Sequence, residues 1–417
     1  MSIEYKDWYP KVTSACFNLT DACNLRCRYC FVEQKPHFMT LDIAKKGVEF
    51  LVNNYNWKKE HNVYTDGVCV TYFGGEPMLL YEEIIKPLTL WCEETYPGIC
   101  YFTITTNGTL LNEERIDFLY EHNIKPLLSI DGAPNTQNYN RPCQDPSKNS
   151  FDLVWANIPH LLTRFPYVTF RSTIDRHTVQ NTYENYLFAA ACGFQNIYMI
   201  PNSQEEWSQE ELNLLDQEFE KIFASMLHEF RSGYKPLISF QPINDGFSRV
   251  LQRDLATINN ELNNYKTNSR SELRCGVGIT GCSIAYDGTI YGCQEQDSKT
   301  CGAMFQIGNI FDGVDIDKHI NLLQNYIDNT HITECIDSSM CDKCPLRPLC
   351  ISYVCPSSSW SSFGNLYTNG KSYCHWNQII FKYCALMMHI LTEENNEAFH
   401  TYLKEDCNFD SFFKEGY

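Results

Sequence analysis

Three cysteines, Cys23, Cys27 and Cys30, stand at offsets of four and three residues in the run Cys23-Asn24-Leu25-Arg26-Cys27-Arg28-Tyr29-Cys30. Three thiolates fall one short of the four sulfurs that complete a 4Fe-4S cluster, so the spacing predicts a cluster with one iron open to an exchangeable ligand. A zinc knuckle competes poorly, because zinc sites usually pair Cys-x2-4-Cys arms and use four protein ligands. A second field of ten cysteines follows far downstream, from Cys275 to Cys374. Zinc competes again for 341–355, since Cys-x2-Cys opens many zinc ribbons.

The elements that must position these residues alternate in the first half of the chain. Segments 13–20, 68–73, 101–106, 125–130, 167–174 and 196–200 are rich in β-branched and aromatic residues and read as strands. Helical periodicity lies between them. Ile43, Ala44, Gly47, Val48 and Leu51 share one face, with Thr40 as N-cap. A helix near 179–192 stops at Gly193, and Ser208 with Glu211 forms a capping box opening the next one. Such alternation predicts an α/β fold with a parallel sheet, doubly wound or a partial barrel, with functional loops after the strand C-termini. The Cys23–Cys30 loop follows the first expected strand.

Past residue 230 the alternation fades. Residues 232–274, with Pro236, Pro242, Gly246 and an Asn-rich patch, read as a bridging segment. Residues 275–375 form a Cys-rich region of the kind that depends on metal for its fold. The tail, 376–417, carries a helical pattern through Ile379, Ile380, Tyr383, Leu386 and Met387 and is expected to pack back onto the rest.

Composition narrows the function classes. A chain of 417 residues with 43% hydrophobic and 20% charged residues is an ordinary globular protein, long enough for two to three domains. A net charge of -18 argues against nucleic-acid or anionic-membrane partners, which require basic surfaces. The first residues lack a signal-peptide pattern, and no apolar run reaches the ~20 residues needed to span a bilayer, so a cytoplasmic location is expected. In a reducing compartment, 21 cysteines point to metal ligation over disulfides. The oxygen sensitivity of clusters and thiolates suggests an anaerobic niche.

The Cys23–Cys30 run, with an aromatic before its last cysteine, resembles the signature of the radical S-adenosylmethionine (radical SAM) enzymes. Gly74-Gly75-Glu76-Pro77, after the second strand, resembles the family element that holds the methionine amino group, and paired glycines admit close backbone approach. Ser129-Ile130-Asp131-Gly132 followed by Arg141 resembles the sulfatase-maturing branch, where the serine and arginine contact the cofactor. By the same resemblance Tyr29 and Ile200 are adenine contacts. Asn107, in Thr106-Asn107-Gly108, reads either as a binding loop or as a turn. Arg171, a charge within an expected buried strand, argues for an interior anionic partner.

The second cysteine field resembles the SPASM extension of these enzymes. The implied architecture is a partial (β/α)6 TIM-like barrel over 1–231, a 232–274 bridge, a small iron-sulfur SPASM domain over 275–375 and a helical tail. The resemblance implies one auxiliary 4Fe-4S cluster on Cys275, Cys282, Cys293 and Cys355 and another on Cys341, Cys344, Cys350 and Cys374. With the cluster on Cys23, Cys27 and Cys30 that makes three. One departure is the x4 spacing before Cys355, where the usual pattern has x3; a loop insertion after Pro348 accommodates it.

The implied activity is cleavage of S-adenosylmethionine to a 5′-deoxyadenosyl radical that oxidatively modifies a residue in a ribosomally made peptide, by a thioether or other cross-link. The alternative is an anaerobic sulfatase maturase making formylglycine from Cys or Ser. A non-catalytic electron-transfer or scaffold protein would explain eight cysteines but leaves the open loop, the GGEP element and Ser129/Arg141 without purpose. Sulfatase maturases carry an Asp base after the cysteine matching Cys293, and here Gln294 stands there. Glu295 or Asp297 could substitute as base, although a one-residue shift on a strand reverses the side chain. The expected partners are a peptide or protein substrate, such as a Cys-rich precursor, and a low-potential electron donor such as flavodoxin or ferredoxin. Only 22 residues precede Cys23, so leader recognition is expected from a separate protein or another surface.

Overall fold

The computed structural model describes residues 11–203, 205–251, 278, 280–297, 302–330, 344, 346, 356–365 and 371–405. Six parallel strands stand in sequential order: β1 (Ser14–Asn18), β2 (Val68–Phe73), β3 (Cys100–Thr106), β4 (Ile124–Ser129), β5 (Thr169–Ile174) and β6 (Asn196–Pro201). Each lies within about two residues of its expected position. The connections carry helices α1 (Leu41–Glu60), α2 (Lys86–Thr95), α3 (Glu113–Glu121), α4 (Pro134–Asn140), α5 (Ser150–Trp155), α6 (Ile158–Arg164), α7 (Thr182–Ala191) and α8 (Gln209–Arg231). This is the open parallel α/β sheet expected from the alternation.

Local chemistry sets the helix ends. Thr40 caps α1 by accepting from Ile43 N, and Ser208 and Glu211 form a reciprocal capping box on α8. Gly193 takes φ +94 just beyond α7, a left-handed helix stop.

The sheet extends beyond six strands on both sides. β7 (Ser239–Phe240) adds parallel to β6, and α9 (Gln241–Leu251) follows it, so Pro242 and Gly246 lie in a helix, where a bridge was expected. Proline fits there because the first helical turn needs no donor from it. On the other side β8 (Cys282–Ile284) pairs parallel with β1, and β9 (Thr289–Tyr291), β10 (Gln306–Asn309) and β11 (Gly313–Val314) continue antiparallel. The Cys-rich region therefore contributes strands to the same 11-stranded sheet as the barrel.

The tail helix, Lys371–Glu393, packs on α8 and α9 and buries Ile379, Ile380, Tyr383 and Met387. Leu386 was expected on that face and is 41% exposed. Three residues from Tyr383, it falls at the margin of the apolar stripe. Among the described residues no helix is long and apolar enough to cross a membrane.

The outer face of the sheet is sealed at Gly47 of α1, where an added Cβ would lie 2.9 Å from Phe17 Cζ and 3.3 Å from Ile284 Cδ1. Phe17 is on β1 and Ile284 on β8, so one glycine admits the helix over both strands. Gly47→Val is expected to destabilise the protein by about 1–3 kcal/mol through overpacking, measured by urea unfolding. Unchanged stability would mean that β8 does not close against α1.

Candidate active site

Strand alternation splits the barrel residues into two sets. Phe17, Val68, Val70, Tyr72, Phe102 and Ile104 are buried in the hydrophobic core. Cys16, Asn18, Thr71, Thr103, Ser129, Arg171, Thr173, Tyr198 and Ile200 share the opposite face, by register across β1 to β6. Thr71 and Thr103 hydroxyls lie 2.8 Å apart on that inner face.

The loop after β1 holds the three cysteines, all half-buried and none in a disulfide. Its backbone is pinned from both sides. Arg26 N donates to Pro142 O at 2.7 Å, Arg28 N to Asn140 O at 3.0 Å and Gln144 N to Asn24 O at 2.9 Å. On the other side Gly75 N donates to Thr20 O (2.7 Å) and Glu76 N to Ala22 O (3.0 Å). A Cβ on Gly74 would sit 2.4 Å from Thr20 O, and one on Gly75 2.3 Å from Ala22 O. The paired glycines were expected to admit a ligand. Their immediate effect is to let the GGEP loop lie backbone to backbone on the cysteine loop.

Glu76, which is buried, is occupied with the protein itself. Oε1 accepts from Met78 N at 3.0 Å and Thr106 Oγ1 at 2.7 Å, while Oε2 accepts from Asn107 N at 2.8 Å. Burial pushes its carboxyl up to about 7 despite these bonds. Asn107 closes a turn through Oδ1, which accepts from Thr109 N, while its Nδ2 reaches Asn24 Oδ1 at 3.0 Å and Cys23 Sγ at 3.7 Å. The turn expected at Asn107 is present, and its amide also ties that turn to the cysteine loop.

Across the loop a buried trio forms. Tyr29 OH donates to Asp131 Oδ2 at 2.5 Å, and Arg141 Nη2 lies 3.1 Å from Asp131 Oδ1, which also accepts from Thr173 N at 3.0 Å. Arg141 Nη1 is 3.9 Å from Cys27 Sγ, and its guanidinium lies 5.3 Å from the Tyr29 ring centre. Burial raises the Tyr29 phenol well above its usual range. For Arg141 burial works against the charge, and Asp131, Tyr29 and Cys27 together outweigh it, raising the guanidinium further. Arg141 Nε is buried without a partner among the described residues, a donor free for an incoming group.

Arg171 crosses the inner face from β5, stacking on Tyr198 (4.8 Å) and donating to Ser172 O at 2.7 Å. Burial lowers its guanidinium, and the Arg141 charge adds to this. Glu295 lies within reach of its field: burial raises that carboxyl and Arg171 opposes the shift. Ser129 and Ile200 lie half-buried at the ends of β4 and β6.

Sequence reading missed Asn24, Thr106, Gln137 and Thr173, which hold the motif residues. Gln137 Oε1 accepts from Asp131 N at 2.8 Å. No local pattern marks them, because their partners come from other strands and loops.

In the second field, Cys275, Cys341, Cys350 and Cys355 lie outside the described residues. Cys293 Sγ accepts from Glu295 N at 3.3 Å and sits 3.6 Å from Ser357 Oγ; Cys374 Sγ accepts from Gln378 Nε2 at 3.6 Å. Cys344 is half-buried. Cys282 is buried on β8, paired in register with Ala15.

Asp297 is fixed by Asn18 Nδ2 at 2.7 Å, and burial pushes its carboxyl up to about 6 from the usual 3.8. A raised carboxyl binds its proton more tightly in the folded state, so its contribution to stability is greatest below about pH 4 and fades as pH rises through about 6. Asp297→Asn is expected to stabilise the protein by about 1–3 kcal/mol at pH 8, with the gain shrinking at pH 5. Urea unfolding at the two pH values measures this; a gain that grows on acidification would contradict it.

Residues 17–187 match the Radical SAM superfamily. An uncharacterized protein, MJ0907, of Methanocaldococcus jannaschii is 32% identical over 116 residues, 27% of this chain and 37% of that protein. The cysteine-type anaerobic sulfatase-maturating enzyme of Clostridium novyi is 25% identical over 84% of this chain and 89% of its own. The chain thus spans little more than a third of the first relative and most of the second. Among solved structures, native anSMEcpe with bound AdoMet and Cp18Cys peptide superposes with a TM-score of 0.67 at 18% identity, over 91% of this chain and 99% of that one. Streptococcus suis SuiB bound to precursor peptide SuiA superposes with a TM-score of 0.53 at 15% identity, over 88% and 78%. Over residues 17–187 the chain is similar to the Radical SAM superfamily; along most of its length it is similar in sequence to a sulfatase-maturating enzyme, and in fold to anSMEcpe and to SuiB.

Proposed function

We propose that Cys23, Cys27 and Cys30 hold a 4Fe-4S cluster whose open iron takes S-adenosylmethionine, and that the chain uses this pair to modify a residue in a ribosomally made peptide. The donor set fits the cluster. Three thiols share one half-buried loop, and burial pushes Cys23 up to about 12 and Cys27 up to about 11, the latter against the pull of Arg141. Burial disfavours the bare thiolates, and a bound metal's charge would offset that cost. Leu25 N and Asn107 Nδ2 already point at Cys23 Sγ, and Arg141 at Cys27 Sγ. When bound, the cluster and its sulfonium ligand supply a 5′-deoxyadenosyl radical.

The protein's own residues bind, orient and shield. Arg141, anchored by Asp131, would offer its Nε to the ligand's oxygens, and Tyr29, fixed by the same carboxylate, would contact the adenine. Asp131 itself is fully buried and acts through those two side chains. Gly74, Gly75 and Glu76 set the height of the cysteine loop and leave GGEP carbonyls for the methionine amino group, with Asn107 fastening the same loop. Ser129 and Ile200 flank the nucleoside at the strand ends, and Arg171 provides interior positive charge.

The observation that carries the reading is the convergence of the open three-cysteine loop, the GGEP loop and the Tyr29–Asp131–Arg141 trio at the C-terminal ends of β1, β2 and β4. A peptide substrate is supported by two proteins of the same fold whose structures hold peptides. Eight further cysteines support two auxiliary clusters, on Cys275, Cys282, Cys293 and Cys355 and on Cys341, Cys344, Cys350 and Cys374, as electron acceptors for a two-electron oxidation. We further propose domains at 1–231 and 275–375 joined by 232–274, with the tail 376–417, and an external low-potential flavodoxin or ferredoxin as donor. Anaerobically reconstituted protein should release 5′-deoxyadenosine from S-adenosylmethionine under dithionite, read by mass spectrometry, and carry about twelve irons. No release, or zinc in place of iron, would overturn the reading.

Sulfatase maturation is the second reading, favoured by the extended match to the Clostridium novyi enzyme. Against it, Gln294 has no basicity, which leaves Glu295 or Asp297 as base. Formylglycine formation on a Cys-x-Pro-x-Arg peptide would select it, and a cross-linked product on a co-expressed Cys-rich peptide would select the first.

A further inference from the structure

We infer that the outer surface of the cysteine loop is the docking face for a small acidic redox protein that delivers the priming electron, an inference resting on the radical SAM reading above. The chain carries a net charge of -18, yet two arginines stand inside the Cys23–Cys30 loop. Both Arg26 and Arg28 are exposed, and neither makes an ion pair among the described residues. The neighbouring cations are neutralised: Lys35 by Glu33 at 2.9 Å, Lys148 by Asp145 at 3.6 Å and Arg176 by Glu205 at 3.1 Å.

Among the described residues the two guanidinium groups are held in place without being cancelled by a carboxylate. Arg26 Nη1 donates to the carbonyls of Cys23 (2.8 Å) and Leu25 (2.9 Å). Arg28 Nε donates to Tyr139 O at 2.8 Å while its guanidinium lies 4.2 Å above the Tyr139 ring. That ring is 38% exposed and meets the exposed His177 edge-on at 6.3 Å. The result is a fixed, positively charged, aromatic-centred patch one residue from Cys27, on a protein that would otherwise repel an anionic partner.

An acidic redox protein suits this face better than an acidic substrate segment. A substrate must reach the inner face of the sheet, where Arg171 and Tyr198 lie, whereas an electron needs only the outer surface of the loop. In the step itself one electron leaves the donor, which is oxidised by one, and enters the cluster on Cys23, Cys27 and Cys30, which is reduced by one. No proton or covalent bond changes partner.

The test compares the reconstituted wild-type protein with Arg28→Gln, Arg28→Glu and the double variant Arg26→Glu/Arg28→Glu. Reduction is followed as bleaching of the cluster's visible absorbance in stopped flow. The electron source is a reduced acidic ferredoxin, a reduced flavodoxin or dithionite, each at low and high salt. Wild type should be reduced faster by at least one of the acidic proteins at low salt than at high salt. The double variant should lose about tenfold of that rate and most of its salt dependence, as charge reversal at a steering patch does. Arg28→Gln should fall between, and the dithionite rate should be the same in all variants.

Three results would overturn the inference. One is equal donor-driven rates in wild type and double variant. Another is a parallel loss with dithionite, which would make the arginines supports of the loop. The third is an unchanged donor rate together with lost binding of a poly-glutamate peptide, which would assign the patch to substrate. Failure of dithionite to reduce wild type at all would instead strike the radical SAM reading, so the two failures are distinguishable.

Discussion

Replacing Cys27 by alanine is expected to abolish 5′-deoxyadenosine formation, lowering it by at least about a thousandfold, while the protein stays folded. The thiol is one of three that must together hold the iron, and two sulfurs cannot replace a three-sulfur set. Cys27 contributes little apolar packing, since it lies on a loop tied by backbone bonds from Arg26 to Pro142 and Arg28 to Asn140, which the substitution leaves intact. Iron content should fall by about four atoms while the iron assigned to the second cysteine field stays. Anaerobic turnover with dithionite and iron analysis measure both quantities. Full iron with normal turnover would remove Cys27 from the site.

The second large effect falls on Asp131. Its carboxylate is fully buried and receives Tyr29, Arg141 and Thr173. Asp131→Ala strands the Arg141 charge in the interior, which should cost about 3–5 kcal/mol of stability. Affinity for S-adenosylmethionine should fall by more than about tenfold, because Tyr29 and Arg141 lose their common anchor. A merely structural carboxylate is separated from a positioning one by the double variant Asp131→Ala/Arg141→Leu. Removing both partners should restore part of the stability and none of the binding. Urea unfolding and equilibrium dialysis with labelled S-adenosylmethionine read the two effects. Binding that recovers together with stability would contradict the role given to Arg141.

The contrast between legible and hidden features follows from sequence separation. The six barrel strands could be placed because β-branched and aromatic runs such as Val68-Cys69-Val70-Thr71-Tyr72-Phe73 are local signals. The cysteine loop, the GGEP element and the capping box of Ser208 and Glu211 are local as well. What joins them is not. Asp131 meets Tyr29 across 102 residues and Thr173 across 42, and Asn18 meets Asp297 across 279. No window of sequence displays such a pair.

Strand β8 illustrates the same point on the scale of the fold. Cys282-Ser283-Ile284 is too short to read as a strand, and it forms because β1 offers a free edge, pairing Ala15 with Cys282 and Phe17 with Ile284. Residues 239–251, within the expected bridging segment, show no strand or helix signal for a related reason: β7 has two residues, and α9 opens with Gln241-Pro242. Tertiary contact with β6 outweighed weak local preference. Glu76 was read as a ligand contact because it belongs to a motif, whereas its carboxylate bonds to Met78, Thr106 and Asn107, two of them supplied by the end of β3 and its following loop. Motif membership said nothing about which way its acid would turn.

The central claim concerns a single iron, held by no protein sulfur, that takes S-adenosylmethionine at the Cys23–Cys30 loop. Electron-nuclear double resonance on the reduced, reconstituted protein tests it most directly, using S-adenosylmethionine labelled with nitrogen-15 at its amino group. A nitrogen hyperfine coupling to the reduced cluster is expected in the wild-type protein and should vanish in Cys27→Ala. A reduced cluster whose spectrum is indifferent to the labelled nucleotide would contradict the account.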